Sequence, residues 1–337
     1  MENRENVTWL GLDKQVQGIL RCPGCQGRIR DDAGGLQCLD CERKFPLVNG
    51  VLRFVDKQHY AGSFGFQWLK HDRTQLDTEN SQRSENDFTR KTGLAKDDLA
   101  GKLVLDVGCG MGRYAEVASR WGAQVVGIDL SLAVEAAARN LAHRNVTIFQ
   151  ADVFSLPFAP ESFDYIYSMG VLHHTPSCEN AFKSLPRFLK PGGGIVIWLY
   201  SGYNKWYRVS DIYRRVTRRM SPKLLHALCQ LTRPLYGLHR LLRVIPLIGR
   251  PLSGILAYLI PMSFNKDPEW RVLDTFDWYS PWYQTKHTYE EVFRWFESCG
   301  LEDLHVGGKP VAVRGTRSRN GQTATQDDQS EVARCVG

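Results

Sequence analysis

The chain has 337 residues, enough for one large or two modest domains with a full hydrophobic core, and its 43% hydrophobic and 23% charged content is ordinary for a globular protein. The formal net charge is only +7, and no apolar run has the length of a signal-peptide core near the N-terminus or of a membrane-spanning helix elsewhere. We therefore expect neither export nor a membrane span, and in such a cytoplasmic protein nine cysteines indicate reduced thiols or a bound metal rather than disulfides.

Residues 1–58 contain two CxxC pairs, Cys22 with Cys25 and Cys38 with Cys41. The spacing C-x2-C-x12-C-x2-C is typical of two knuckles that present four thiolates to a tetrahedral zinc ion. A redox pair is the alternative, but no thioredoxin-like βαβ pattern surrounds either pair. We predict a zinc ribbon with a structural metal ion, because four protein ligands leave no open position for catalysis.

Residues 59–100 mix aromatic and charged side chains and predict a helical arm, whose FGFQW and TQLD runs could fold over a ligand as a lid. Residues 101–200 then alternate short apolar runs with helical patterns, as in the βαβ units of a parallel sheet, within a domain that is expected to extend to residue 314. Strands are predicted at LVLDVG, QVVGIDL, VTIFQ, FDYIYS and GGIVIWLY, with two more at EDLHV and PVAVR. This order predicts a doubly wound, Rossmann-like α/β sheet, which binds ligands at the carboxyl ends of its strands.

The first of these strands runs into the glycine-rich stretch VLDVGCGMGRY. A P-loop needs Lys followed by Ser or Thr after its glycines, whereas Arg113 and Tyr114 stand there. A dinucleotide fold expects G-x-G-x-x-G, whereas Gly108, Gly110 and Gly112 are spaced G-x-G-x-G. The glycines alone leave open a nucleoside ligand or a simple tight turn from strand to helix.

Acidic residues stand near the ends of successive strands. Asp106 precedes the glycines, where it could face a cationic ligand or hold the loop. Asp129 ends the second strand, where a carboxylate suits a ribose hydroxyl pair or a helix that begins at Ser131. Asp152 follows the third strand, where it could contact an adenine amino group or start a turn. The order of these positions favours a nucleoside cofactor over separate structural roles.

Together these motifs resemble the class I S-adenosylmethionine (SAM)-dependent methyltransferases, especially the branch that contains ubiquinone and menaquinone pathway enzymes. The resemblance covers residues 101–200 and extends to the last helix and strands. It implies SAM as the cofactor, with the glycine loop near the methionine part, Asp129 near the ribose, and Asp152 with Val153 near the adenine. The cofactor-binding residues that it implies are Asp106, Gly108, Cys109, Gly110, Gly112, Asp129, Leu130, Asp152, Val153 and Met169.

The run CERKFPLVNGVLRF after the second cysteine pair carries a second resemblance. It is similar to the zinc-ribbon proteins that activate some RNA and protein methyltransferases, here fused within one chain. The resemblance implies that the ribbon supports the folding of the adjoining domain.

His173 and His174 follow the fourth strand, at the edge of the sheet where ligands bind. An alcohol or phenol acceptor needs a base, and an imidazole can take up a proton near neutral pH. The alternative is that the pair orders its loop through hydrogen bonds. Both histidines are therefore candidate catalytic residues.

A basic and apolar insertion, residues 203–270, follows the fifth strand. Between Lys205 and Arg250 it has eleven Lys or Arg and a single acid, Asp211. Helices with a basic and an apolar face can lie on an anionic membrane surface, grip a lipid-linked or phosphorylated substrate, bind RNA phosphates, or simply cover an active site. We expect a cap that also contacts the inner membrane surface through residues 205–250.

Downstream, the run DTFDWYSPWYQTKHTYEE combines rings with polar groups that could shape an acceptor pocket, namely Asp274, Asp277, Tyr279, Tyr283 and His287. Thr288 and Glu291 form a capping box, which predicts a helix that ends near Gly300. Residues 315–337 have few large apolar groups and are expected to be disordered.

These features predict an enzyme that transfers a methyl group from SAM to a small-molecule or lipid-linked acceptor, at oxygen, in a glycan or secondary-metabolite pathway. An RNA or protein methyltransferase is the first alternative. Nucleic acid is the less favoured partner, because the fourth strand lacks the N-P-P-Y-type string of many amino-group methylators. A non-catalytic module with the same fold is the second alternative, and a nicotinamide oxidoreductase the most distant.

Overall fold

The computed structural model describes residues 11–55, 60–79, 81–203 and 208–319. Its first part is an antiparallel ribbon in which each strand pairs with the next. The elements are α1 (Lys14–Ile19), β1 (Ile29–Asp32), β2 (Gly35–Cys38), β3 (Lys44–Val48) and β4 (Val51–Arg53). The arm that follows is helical, as predicted, with α2 (Gly62–Lys70), α3 (Arg83–Thr92) and α4 (Lys96–Leu99).

All seven strands predicted beyond residue 100 are present. They are β5 (Leu103–Val107), β6 (Gln124–Asp129), β7 (Val146–Gln150), β8 (Phe163–Met169), β9 (Leu189–Trp198), β10 (Leu301–Val306) and β11 (Ala312–Arg317). The sheet has the order β1-β2-β3-β4-β7-β6-β5-β8-β9-β11-β10, and β7, β6, β5, β8 and β9 run parallel. Every residue of β5 is buried, because helices cover both faces of the sheet. The doubly wound, Rossmann-like prediction is confirmed.

The ribbon is continuous with this sheet. Strand β4 pairs in parallel with β7, so that Leu52 lies opposite Phe149. The buried guanidinium of Arg53 donates to Gln150 Oε1 at 3.1 Å and to Glu135 Oε1 at 2.7 Å. The ribbon is therefore an edge of the main sheet and not a separate body, which the composition of residues 1–58 did not indicate.

Helices α5 (Arg113–Arg120), α6 (Ala133–Asn140) and α7 (Cys178–Lys183) connect the parallel strands. The insertion is helical, as predicted, and its elements are α8 (Arg208–Thr217), α9 (Pro222–Cys229), α10 (Thr232–Val244), α11 (Gly249–Leu259) and α12 (Pro268–Tyr279). A small core of its own forms where Leu225 of α9 meets Val272 and Phe276 of α12. Within the described residues, no helix combines the length and the apolar character needed to cross a membrane.

The last helix, α13 (Tyr289–Ser298), begins with the predicted capping box, in which Thr288 Oγ1 accepts from the Glu291 amide. Strand β11 continues to Arg317, three residues past the boundary expected for a disordered tail, because Gly315 and Thr316 pair with β9. The rest of that expectation, from residue 320 onward, lies outside the described residues.

Candidate active site

A cavity of about 590 Å³ opens at the carboxyl ends of β5, β6, β7 and β8. This is the point at which the strand order reverses, between β5 and β8, where doubly wound sheets bind their ligands. Its volume is within the range of roughly 300–1,000 Å³ that is usual for small-molecule sites. Eight of the ten predicted cofactor residues line it, namely Gly108, Cys109, Gly110, Asp129, Leu130, Asp152, Val153 and Met169.

The first two glycines of the loop form a close cradle. Gly108 and Gly110 have φ angles of 80° and 54°, in the left-handed region that favours glycine. A Cβ atom on Gly108 would lie 2.3 Å from Val171 Cγ1, and one on Gly110 would lie 3.2 Å from Trp68 Nε1. A side chain at Gly108 would displace Val171, so glycine is required there for the backbone to face the cavity.

Gly112 does not line the cavity, although the resemblance implied a cofactor contact. It caps the N-terminus of α5 with φ 94°, and a Cβ atom there would lie 2.6 Å from Leu141 Cδ1. Its role in the structure is close packing between the loop and α6.

Asp106 also lies outside the cavity lining. It is buried beneath the glycine loop beside Tyr167, and burial raises the pKa of its carboxyl group to about 8. The group is therefore protonated at neutral pH and presents no negative charge to a cationic ligand. Of the two roles that the sequence allowed, support of the loop is the one this position fits.

Asp129 organises the turn towards α6, which is one of the two roles that the sequence left open, and it also lines the cavity. Its Oδ2 accepts from the Gly110 amide at 3.0 Å, and its Oδ1 accepts from the amide and hydroxyl of Ser131 at 2.8 and 2.7 Å. The carboxylate thus fixes the glycine loop and the approach to α6 while it lines the cavity. Asp152 also lines the cavity, and its Oδ1 accepts from the Phe154 amide at 3.1 Å in the turn after β7.

The two histidines have different surroundings. His173 is fully buried, does not line the cavity, and stacks on Tyr200 with ring centroids 4.0 Å apart. His174 lines the cavity, and its Nδ1 lies 2.9 Å from the carbonyl oxygen of Tyr283. Because a carbonyl only accepts, Nδ1 carries the proton and Nε2 is an acceptor, for which the described residues offer no hydrogen-bond partner. Burial lowers the pKa of His174, so the ring is neutral at pH 7.

Helix α12 forms the wall opposite the glycine loop. Asp274 and Asp277 line the cavity together with Trp270 and Trp278. Burial raises the pKa of Asp274 to about 7, and Asp277 accepts a 2.5 Å hydrogen bond from the hydroxyl of Tyr200. Both aspartates of the predicted acceptor-pocket run therefore line the same cavity as the glycine loop.

Three other polar residues in the same run lie outside the lining. Tyr279 donates its hydroxyl proton to the carbonyl oxygen of Pro261, Tyr283 packs on Tyr60, and His287 contacts Glu291. Spacing alone could not separate these residues from the aspartates, because Tyr279 faces Pro261 from the last turn of α12 and the other two lie beyond the end of that helix.

The arm covers the cavity, as the FGFQW run suggested: Phe64, Gln67 and Trp68 of α2 line it. Sequence reasoning missed a buried polar cluster that α3 brings to the same wall. The Lys91 ammonium lies 2.8 Å from Asp87 Oδ2, donates to the Tyr114 hydroxyl at 2.9 Å, and sits 3.7 Å above the Trp198 ring. Burial lowers the pKa of Lys91 to about 8. The pKa of Asp87 falls to about 2, because Lys91 and Arg113 outweigh its burial.

The four ribbon cysteines converge as their spacing predicted. Their sulfur atoms all lie within 4.8 Å of one another, with Cys22 and Cys41 3.6 Å apart and Cys25 and Cys38 3.5 Å apart. Four sulfurs at about 2.3 Å from a zinc ion would be spaced by about 3.8 Å, so the donor set fits that metal. Each of these two contacts joins one knuckle to the other, as expected of four ligands around a single metal ion and not of two separate CxxC disulfides.

The parallel sheet, the glycine cradle and the acidic strand ends define a Rossmann-like domain with a nucleoside-cofactor site. Residues 105–197 match the family model described as a methyltransferase domain. That segment runs from β5 to β9 and contains every predicted cofactor residue.

Individual relatives agree on this chemistry and differ in their acceptors. The chain is 33% identical over 143 residues to mouse "Probable tRNA methyltransferase 9B", covering 41% of this chain and 31% of the relative. It is 31% identical over 165 residues to the ubiquinone biosynthesis O-methyltransferase of Alkalilimnicola ehrlichii, covering 47% and 65%. The crystal structure of a SAM-dependent methyltransferase from Mesorhizobium loti is 30% identical over 34% of this chain and 52% of that one, with a TM-score of 0.31. The chain thus spans less than two thirds of each relative.

Proposed function

We propose that the protein is a SAM-dependent methyltransferase that methylates a small-molecule or lipid-linked acceptor at oxygen. The observation that carries the proposal is that Gly108, Asp129 and Asp152 line one cavity, each at the carboxyl end of one of three adjacent strands, β5, β6 and β7. The Asp129 carboxylate would accept hydrogen bonds from ribose hydroxyls, and Asp152 would accept from an adenine amino group. Bound SAM would supply an electrophilic methyl group on a sulfonium ion.

The acceptor would bind between the glycine loop and α12. Since the reactivity is in the cofactor, the chain's own residues would align the acceptor, exclude water and remove its proton. His174 Nε2 is a neutral acceptor in the cavity and could take the proton of an acceptor hydroxyl as the new O–CH3 bond forms. Asp274 is a second candidate base, because its pKa of about 7 allows it to exchange a proton near neutral pH.

The ribbon would hold a structural zinc ion through Cys22, Cys25, Cys38 and Cys41. All four ligands come from the protein, so the metal would not take part in methyl transfer. The free thiols of the described residues favour a reducing, cytoplasmic compartment, and the basic insertion favours the inner membrane surface within it.

The test is incubation of the purified full chain with methyl-labelled SAM and cell-extract fractions, followed by mass spectrometry of the labelled products. Calorimetry with SAM, without any acceptor, separates cofactor binding from turnover. We expect micromolar binding and label in a lipid or small-molecule fraction. Absence of heat at millimolar SAM would leave a non-catalytic module with this fold.

A tRNA nucleoside is a second candidate acceptor. The similarity to a probable tRNA methyltransferase favours it, and the insertion carries enough basic charge to contact phosphates. The expectation that disfavoured nucleic acid is therefore not supported by the relatives. Label in the RNA fraction, together with RNA binding that weakens steeply with salt, would support this candidate over a lipid-linked acceptor.

A further inference from the structure

We propose that the helical hairpin formed by α10 and α11, here called the hairpin, docks on a bilayer that contains anionic phospholipid by inserting its apolar tip. The inference deepens the proposed function, on which it rests for the lipid-linked acceptor, by naming the surface at which that acceptor is met.

The tip of the hairpin exposes large apolar side chains. Leu247, in the turn between the two helices, is 97% exposed, and Val244, the last residue of α10, is 78% exposed. Leu247 also has a φ angle of 63°, in the left-handed region that disfavours a branched apolar side chain and suits Gly or Asn. A strained position that holds a leucine wholly in water indicates a role in contact with another apolar phase.

The apolar exposure continues along both helices. On α10, Leu238 and Leu241 are exposed three residues apart, and on α11, Leu252 and Ile255 are exposed at the same spacing. That spacing places each pair on one helix face, so that each helix has an apolar stripe that the rest of the chain does not cover. A stripe of this kind on a helix with a polar or basic remainder is the pattern of interfacial membrane helices.

Specific contacts hold the two helices of the hairpin together. The hydroxyl of Ser253 on α11 lies 2.7 Å from His239 Nδ1 on α10. A Cβ atom on Gly249 would lie 2.0 Å from the carbonyl oxygen of Leu242, so glycine is what allows the two helices to approach at the turn. These contacts fix the two helices against each other and so define the turn that carries the apolar tip.

The charge of this region matches an anionic surface. Residues 212–266 contain ten Lys or Arg and no Asp or Glu. Arg240, Arg243 and Arg250 flank the tip, are exposed, and make no ion pair within the described residues. Unpaired cations are attracted to an anionic bilayer, while the leucines supply the apolar part of the binding.

Other occupants fit less well. RNA phosphates would satisfy the arginines and leave the leucines in water, since aliphatic side chains gain nothing from a phosphate backbone. A second copy of the chain would cover the leucines and bring two strongly basic surfaces together without a compensating acid. A bilayer with anionic head groups satisfies both the charge and the apolar exposure.

The hairpin is connected to the wall of the cavity. The guanidinium of Arg271 on α12 lies 3.7 Å above the ring of Tyr236 on α10, and Arg233 of α10 pairs with Glu269 of α12. Because α12 also carries Asp274 and Asp277, docking of the hairpin would bring the acceptor side of the cavity to the lipid surface.

The experiment is flotation of the full chain with vesicles of phosphatidylcholine alone and of phosphatidylcholine mixed equally with phosphatidylglycerol. We expect binding to the mixed vesicles only, weakening as salt is raised. Leu247→Asn should lower the partition coefficient about tenfold, since it removes the inserted side chain while Asn tolerates the left-handed backbone. Val306→Asn, at an exposed valine on the far edge strand β10, is the matched control and should bind like the wild type.

Several results would overturn the proposal. They are equal recovery with both kinds of vesicle, unchanged flotation of Leu247→Asn, or self-association that Leu247→Asn abolishes in the absence of any lipid binding. RNA binding without vesicle binding would overturn it as well. Calorimetry with SAM in the absence of lipid tests the proposed function separately, because the cofactor residues lie on the main sheet and not on the hairpin.

Discussion

The hydroxyl of Ser155 donates a 3.0 Å hydrogen bond to the carbonyl oxygen of Pro23, and so joins the loop after β7 to the first cysteine knuckle. The same serine forms a β-bridge with Asp152, and its amide donates to the Asp152 carbonyl at 3.0 Å. Ser155 therefore links the first cysteine knuckle to Asp152, the residue that we propose to bind the adenine. This contact predicts that an ordered ribbon and SAM affinity are coupled.

Removal of the metal should weaken SAM binding through this contact. Ser155→Ala should keep its zinc and still lose about two- to tenfold in SAM affinity, which corresponds to one neutral hydrogen bond. Zinc analysis together with calorimetry measures both quantities on the same sample.

Ser119→Ala is the matched control for that change, because its hydroxyl bonds only within α5, to the carbonyl of Glu116. Equal SAM affinity for the metal-free and metal-loaded protein would show that the ribbon does not act on the cofactor site.

Asp129→Ala should lower SAM affinity about ten- to a hundredfold. The change removes a charged acceptor for the ribose and the bond that holds the Gly110 amide. Asp164→Asn is its control, since Asp164 accepts from the Leu103 amide at the opposite edge of the sheet. Calorimetry that finds both variants equal to the wild type would remove Asp129 from the cofactor site.

The pH dependence of turnover should identify the base. Burial lowers the pKa of His174 below its ordinary value of 6.5, so a rate that depends on its neutral form stays constant through pH 7 and falls only at lower pH. If Asp274 is the base, the rate instead falls as pH drops through about 7, where that carboxyl gains its proton. Measured kcat profiles of His174→Gln and Asp274→Asn distinguish the two.

The residue responsible is the one whose replacement removes the acidic limb of the profile. A profile that is identical for both variants and the wild type would show that the acceptor loses its proton without either group.

Strand positions and the cofactor loop could be predicted from the sequence because each depends on local pattern. The run from Val104 to Tyr114 contains a strand, a glycine turn and the start of a helix. The positions of Asp129 and Asp152 follow from the strands β6 and β7, at whose ends they lie. The convergence of the four cysteines could also be predicted from a local pattern, because the spacing of two CxxC pairs is typical of a zinc site.

The remaining features depend on contacts between distant segments. Nothing near Arg53 indicates that β4 joins the main sheet, because its partners Gln150 and Glu135 are 97 and 82 residues away. Lys91 and Asp87 resemble an ordinary exposed helix pair in sequence, and contacts with Tyr114 of α5 and Trp198 of β9 are what bury the lysine. The separate roles of His173 and His174 likewise depend on Tyr200 and Tyr283, which come from later elements.

Asp106→Asn should stabilise the protein increasingly as the pH rises. The pKa of Asp106 is raised from 3.8 to about 8 by burial, so the folded state keeps a proton that the unfolded chain releases above pH 4. The contribution of the protonated Asp106 carboxyl to the free energy of unfolding is fully present below pH 4. It is lost as the pH rises from 4 to 8, by at most about 1.4 kcal/mol per pH unit. Urea unfolding at pH 5 and pH 9 should therefore show a gain for the variant that is larger at pH 9. Asp87→Asn is the control of opposite sign: the pKa of Asp87 is lowered to about 2, so the variant should be less stable than the wild type at pH 5. Its loss should be smaller at pH 9, because the partner Lys91, whose pKa is about 8, is largely uncharged there. A stability difference for Asp106→Asn that does not change between pH 5 and pH 9 would mean that this buried carboxyl is ionised beneath the glycine loop.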